Sequence, residues 1–157
     1  MDKNKVQEKD IVTRDSIEGD YFFCRELNNM MIEMVKKNRK MTEREVLEDF
    51  DDDFKKGGVK IVEYKGVPVG FFQLFTKDNF LFINDFQVSP LFRNMGIGTY
   101  LLKLMEKEAI ERGLSIIKLE VFLDNEAKSL YDKMGYKIES YTKSNSVIME
   151  KILENNI

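Results

Sequence analysis

Arg93, Gly96 and Gly98 lie close together in the stretch LFRNMGIGTYLLKL, Leu91 to Leu104, just ahead of an apolar pattern of helical spacing. A helix entrance holds about four amide N–H groups without an intrahelical acceptor, and the helix dipole adds roughly half a positive charge there. Glycines at 96 and 98 remove side chains that would block close approach. Amides from Met95 to Thr99 can then converge on an anion, most naturally a phosphate or diphosphate. Arg93 adds a permanent charge with several donors. A tight strand-to-helix turn with no ligand also uses such glycines, so the turn by itself leaves both readings open. Two other phosphate motifs do not fit: G-x-x-x-x-G-K-[ST] is absent, and G-x-G-x-x-G breaks at Leu101.

The chain contains no histidine and one cysteine, Cys24. This excludes Ser-His-Asp and Cys-His nucleophiles, histidine-ligated metals and cysteine-rich zinc sites. Any catalysis must use carboxylates, tyrosine, lysine, backbone groups or water.

The elements that carry these residues read in the order helix, helix, three strands, helix, strand, helix, two strands. A first helix is predicted from about Ile17 to Lys40, with Tyr21, Cys24, Leu27, Met31 and Met34 as its apolar stripe. Lys9 to Val12 reads as a short strand before it. Thr42 and Glu45 form a capping box that starts a second helix, which Gly57-Gly58 ends. Val59 to Tyr64 and Val67 to Phe75 read as a hairpin around Lys65-Gly66, and Phe80 to Val88 as a third strand stopped by Ser89-Pro90. A helix follows from Ile97 to Arg112, then a strand from Leu114 to Leu123. That strand–helix–strand unit should place its two strands parallel. Asp124-Asn125 caps a short helix through Met134, and Tyr136 to Ser140 with Ser146 to Lys151 close the sheet. The class is α/β.

INDFQVSPLFRNMGIG resembles the signature of the GNAT superfamily of N-acetyltransferases, R/Q-x-x-G-x-G/A, with Arg93, Gly96 and Gly98 in place. LEVFLDNEAKSLYDKMGYK resembles its second signature, N-x-x-A-x-x-L/F-Y-x-x-x-G-F/Y, through Asn125, Leu130, Tyr131, Gly135 and Tyr136, with Ala127 one place early. The order of elements agrees over nearly the whole chain, so residues 1–157 read as a single N-acetyltransferase domain. The fold so implied is a mixed, mostly antiparallel sheet with one central parallel βαβ unit, flanked by helices. The resemblance implies acetyl-coenzyme A as acyl donor; no metal is expected, in line with the missing histidines and the lone cysteine. It implies a diphosphate held by Arg93, Asn94, Met95, Gly96, Ile97, Gly98 and Thr99. The pantetheine arm would pair with exposed backbone at Phe86, Gln87 and Val88, and with Asn125. It further implies that Tyr131 protonates the departing thiolate, which a phenol of pKa about 10 can do because it is protonated at pH 7. Ala127, Leu130, Tyr131 and Met134 also form one helical stripe, so a packed core tyrosine is the competing reading.

Asn84-Asp85-Phe86 resembles the E-D-F stretch of spermidine/spermine acetyltransferases, where the glutamate is a candidate base. Asn84 cannot usefully take a proton. Asp85 is then the carboxylate left for that role, against a plain strand-end residue or a water relay to solvent. The run Glu48 to Asp53 either faces the cleft and attracts a cationic amine such as a polyamine, or is a solvated helix face. The resulting expectation is direct acetyl transfer to a primary amine of a small molecule, polycations included. A protein amine as acceptor, and an acetyl-coenzyme A sensor without turnover, are the alternatives.

Composition sets the surroundings. Apolar residues make up 43% and charged residues 34% of 157, with a net charge of −3. No apolar run reaches the roughly 20 residues of a membrane span. The polar N-terminus does not read as a secretory signal, and one cysteine suits a reducing cytoplasm. No basic tract points to nucleic acid. Whether the chain acts alone or as a homodimer is left open.

Overall fold

The computed structural model describes residues 5–154. Its frame is a seven-stranded sheet in the order β1-β2-β3-β4-β5-β7-β6. The strands are β1 (Ile11–Asp15), β2 (Val59–Tyr64), β3 (Val67–Lys77), β4 (Phe80–Val88), β5 (Ile116–Phe122), β6 (Lys137–Tyr141) and β7 (Ser146–Ile152). Every neighbouring pair is antiparallel except β4 and β5. These two are joined through α4 (Ile97–Glu111), the crossover that a parallel pair requires. The expected mixed sheet with one parallel unit is therefore observed. The first strand begins later than the sequence suggests, at Ile11, after a 3₁₀ turn at Glu8–Asp10.

Each face of the sheet is covered. On one face α4 buries Ile97, Leu101, Leu102, Met105 and Ala109. On the other, Cys24 and Leu27 of α1 (Tyr21–Asn29) and Phe50 of α3 (Glu43–Lys55) pack with Val59, Ile61 and Phe71. Burying a leucine or phenylalanine fully stabilises by about 1.5–3 kcal/mol, so both layers are held firmly to the strands between them. The Thr42 capping box is present: Glu45 N–H donates to Thr42 Oγ1 (3.2 Å), and Thr42 N–H donates to Glu45 Oε1 (3.0 Å).

The single helix expected from Ile17 to Lys40 is two helices, α1 and α2 (Ile32–Arg39). Met30 and Met31 N–H groups donate to Leu27 and Asn28 carbonyls, a 3₁₀ pattern that breaks the run. Asn28 and Asn29 just before the break are weak helix formers. The turn lets α2 reach the far strands. There Asn38 Nδ2 donates to Asp124 Oδ1 (2.8 Å), and Asn145 Nδ2 donates to Asn38 Oδ1 (3.2 Å).

Candidate active site

The one parallel ladder is short. Leu81, Phe82 and Ile83 pair with Ile117, Lys118 and Leu119, and beyond them β4 and β5 part. The gap opens into a cleft of about 880 Å³ between the strands, α1–α3, the β4–α4 turn and α5 (Ala127–Lys133). Parted strands leave backbone groups that need other partners. Phe86, Gln87 and Val88 lie on this separated stretch and line the cleft. All three are paired with β3 along their other edge, and two further backbone groups have side-chain partners: Phe86 N–H donates to Asp85 Oδ1 (2.9 Å), and the Val88 carbonyl accepts from Arg93 Nε (3.0 Å).

The turn after β4 holds two residues at positive φ, Asn94 (62°) and Gly96 (91°). Arg93 N–H donates to the Pro90 carbonyl, and the next amide to find an acceptor is Tyr100, on the Gly96 carbonyl. Between them, Asn94, Met95, Gly96, Ile97, Gly98 and Thr99 offer amides with no acceptor among the described residues. Gly96 enters the helix at φ 91°, a conformation that disfavours any side chain. Asn94, Gly96, Gly98 and Thr99 line the cleft, and Arg93 stands at its rim. Met95 and Ile97, expected at the site, are not among the residues that line the cleft. The Met95 carbonyl accepts from Val6 N–H (3.0 Å), and the Ile97 side chain is buried in the core. Such a run of free donors at a helix start, beside a guanidinium, is suited to a diphosphate.

A bulge shapes the middle of β4. Gln73 pairs with Asp85 and Leu74 with Ile83, so Asn84 is an inserted residue. The insertion keeps Ile83 and Phe86 on the α4 face and turns both Asn84 and Asp85 toward α1 and α3. Asp85 accepts from Asn28 Nδ2 (3.2 Å), Gln87 Nε2 (3.2 Å) and Phe86 N–H. Burial nonetheless pushes its carboxyl up to about 6, the accepted hydrogen bonds only partly offsetting the lost hydration.

Tyr131 is 7% exposed, and its ring meets Tyr136 edge-on at 6.0 Å. Burial, then the Asp85 charge, holds its phenol well above the ordinary value. The hydroxyl has no hydrogen-bond partner among the described residues. It is also not sealed from solvent, because no fully buried side-chain polar atom there lacks a partner. Tyr131 is thus both packed and open at its tip, lining the cleft with Asp85. Asn125 Oδ1 accepts from Ala127 N–H (2.9 Å) at the start of α5, and Asn125 lines the cleft.

Three features escaped the sequence reading. Asn28, four residues after Cys24, is a polar residue beside an apolar stripe, and that was the available signal. The Gln73–Asn84–Asp53 network had none, because the bulge that creates it has no pattern in the sequence. The acidic run divides: Asp49 and Asp53 line the cleft, whereas Asp51 bonds Tyr21 and Arg25.

A family model described as the acetyltransferase (GNAT) family matches residues 21–136. No curated protein matches the sequence. Solved structures share the fold. The PaiA N-acetyltransferase from Thermoplasma acidophilum in complex with coenzyme A superposes with a TM-score of 0.68 at 20% identity, covering 90% of this chain and 98% of that one. Ard1 from Thermoplasma volcanium gives 0.67 at 22% identity, covering 93% and 99%. Arabidopsis thaliana Naa50 in complex with the bisubstrate analogue CoA-Ac-MVNAL gives 0.66 at 20% identity, covering 90% and 98%.

Proposed function

The chain belongs to the acetyltransferase (GNAT) family, and on that premise we propose that it moves the acetyl group of acetyl-coenzyme A to a primary amine of a small, positively charged molecule. Acetyl-coenzyme A is the donor, used without a metal. The residues suit it: six consecutive amides without an acceptor among the described residues, with Arg93, for the diphosphate, and a parted β4–β5 pair for the amide-bearing arm. When bound, it supplies an activated acyl carbon and a thiolate leaving group.

The chain's own part is to hold and move protons. Asp85 Oδ2 takes the proton of the acceptor nitrogen, directly or through one water, as the new C–N bond forms. Tyr131 Oη gives its proton to the sulfur as the C–S bond breaks. Solvent at the cleft mouth reprotonates Tyr131 and takes the proton from Asp85; an acceptor that arrives as an ammonium first gives one further proton to solvent, so that its nitrogen attacks with a free lone pair. Transfer is direct, without an acyl-enzyme. The only thiol, Cys24, is buried, and burial pushes it up to about 12, so no enzyme thiolate is at hand.

The observation that carries the acceptor class is the chemistry of the cleft wall formed by α2, α3 and β4. Asp49, Asp53 and Asp85 line the cleft there beside Met31, Met34 and Phe50. Carboxylates over an apolar floor attract an alkyl ammonium and repel an anion. The test is thiol release from acetyl-coenzyme A with 1,4-diaminobutane, spermidine, an aminoglycoside and a peptide bearing a free N-terminus. Small polyamines should be turned over best. Release with the peptide alone would replace this acceptor with a protein amine. Tight acetyl-coenzyme A binding with no release on any amine would make the protein a sensor.

A further inference from the structure

Asn84 stands at the position of the glutamate in the E-D-F stretch that it resembles, and its hydrogen bonds give it another task. The orientation of its amide follows from a chain of constraints. Gln73 is 2% exposed, and one end of its amide meets the carbonyls of Asp53 (2.6 Å) and Gly57 (2.8 Å). Carbonyls only accept, so that end is Nε2 and Oε1 faces the other way. Oε1 in turn accepts from Asn84 Nδ2 (2.9 Å), and the second Nδ2 hydrogen goes to Asp53 Oδ2 (3.1 Å). Both donors of Asn84 are engaged. Its Oδ1 has no partner among the described residues and is not sealed from solvent, on a residue that lines the cleft next to Asp85.

We propose that Asn84 Oδ1 accepts an N–H of the acceptor amine, making Asn84 a specificity-determining residue and Gln73 the residue that positions it. The inference rests on the amine-acetyltransferase reading and names the group that selects the amine. A neutral carbonyl held in this way favours any N–H donor, charged or not. It also disfavours a ligand that brings an oxygen acceptor to the same point. It complements Asp85, which removes the proton, because the bulge sets the two side chains side by side on one wall.

The experiment is steady-state kinetics on the amine panel, with wild type, Asn84→Ala and Asn84→Asp. Losing one hydrogen bond to a charged group should raise the amine KM of Asn84→Ala about tenfold to a hundredfold. Its kcat and its acetyl-coenzyme A affinity by calorimetry should stay near wild type. Asn84→Asp keeps an acceptor toward the cleft but loses both donors and sets a charge beside Asp53 and Asp85. It should melt at the lowest temperature of the three, yet keep an amine KM nearer wild type than the alanine variant does. A KM that follows melting temperature across the series, or an unchanged KM in Asn84→Ala, overturns the proposal. So would loss of folding by circular dichroism in both variants, which would assign Asn84 to the fold alone. A wild type silent toward every amine defeats the functional reading and this inference with it, a pattern distinct from the others.

Discussion

Asp85 and Tyr131 share one end of the cleft with opposite demands on their protons. Asp85 has to be ionised to act as base, and its carboxyl titrates at about 6. In the proposed role, kcat/KM falls as pH drops below about 6 and reaches a plateau above it. Asp85→Asn should remove that limb and lower kcat by about 10²-fold or more. The same shift has a cost in stability. A folded carboxyl raised from 3.8 binds its proton more tightly than the unfolded one, so its contribution is whole below pH 3.8 and lost as pH rises through about 6. The melting temperature of Asp85→Asn should therefore gain on wild type between pH 4 and pH 7. A gap that does not change with pH would remove the shift from the account. Tyr131 makes the contrary case, its phenol held protonated throughout this range. Tyr131→Phe should lower kcat by about 10²-fold or more while acetyl-coenzyme A affinity is unchanged. Wild-type turnover in that variant would return Tyr131 to packing alone.

Single elements set where those groups stand. β3 and β4 approach so closely at Gly70 that an added Cβ would sit 2.5 Å from the Gln87 carbonyl and 3.3 Å from Val88 Cα. Gly70→Ala should destabilise by about 1–3 kcal/mol in chemical denaturation. It should also weaken acetyl-coenzyme A binding, because it displaces Gln87 and Val88; undisturbed binding would show that this segment takes no part. Much of this layer was legible. The bounds of β2 and β4, the capping box and the parallel crossover all follow from alternation, cap chemistry and spacing that act over a few residues. What escaped depends on contacts between distant segments. Two asparagines and a 3₁₀ turn divide the first helix so that α2 can reach Asp124, a partner far along the chain. The Asn84 insertion changes which residues share a face, whereas simple alternation would have set Ile83 beside Asp85. For the site, the glycine turn and Tyr131 carried their own pattern. The role now proposed for Asn84 depends on Gln73, which no local pattern links to it.

At the scale of the whole cleft, amide donors and carboxylates cluster at different places, although Arg39, Glu120, Asp124, Glu126 and Lys133 line it as well. Free amides and Arg93 gather at the turn into α4, and carboxylates gather on the wall made by α3 and the β4 bulge. The parted β4–β5 pair connects the two. In the proposed function, this arrangement would let an anionic carrier and a cationic acceptor meet head to head without sharing a surface. Attraction to the carboxylate wall is screened by salt over a Debye length of about 8–10 Å near physiological ionic strength. The KM for spermidine should thus rise with salt more steeply than that for a monoamine, and parallel salt profiles would separate the acidic wall from acceptor binding. The other pole depends on Gly98, where a Cβ would come within 3.1 Å of Leu130 Cδ2. Gly98→Glu adds bulk and like charge at the amide turn and should abolish acetyl-coenzyme A binding in calorimetry. The most direct measurement is a crystal structure of the protein with coenzyme A. Diphosphate oxygens are expected about 2.7–3.2 Å from amide nitrogens between Asn94 and Thr99, with the arm running past Phe86 to Val88. A diphosphate bound elsewhere, with those amides facing only water, would contradict that expectation.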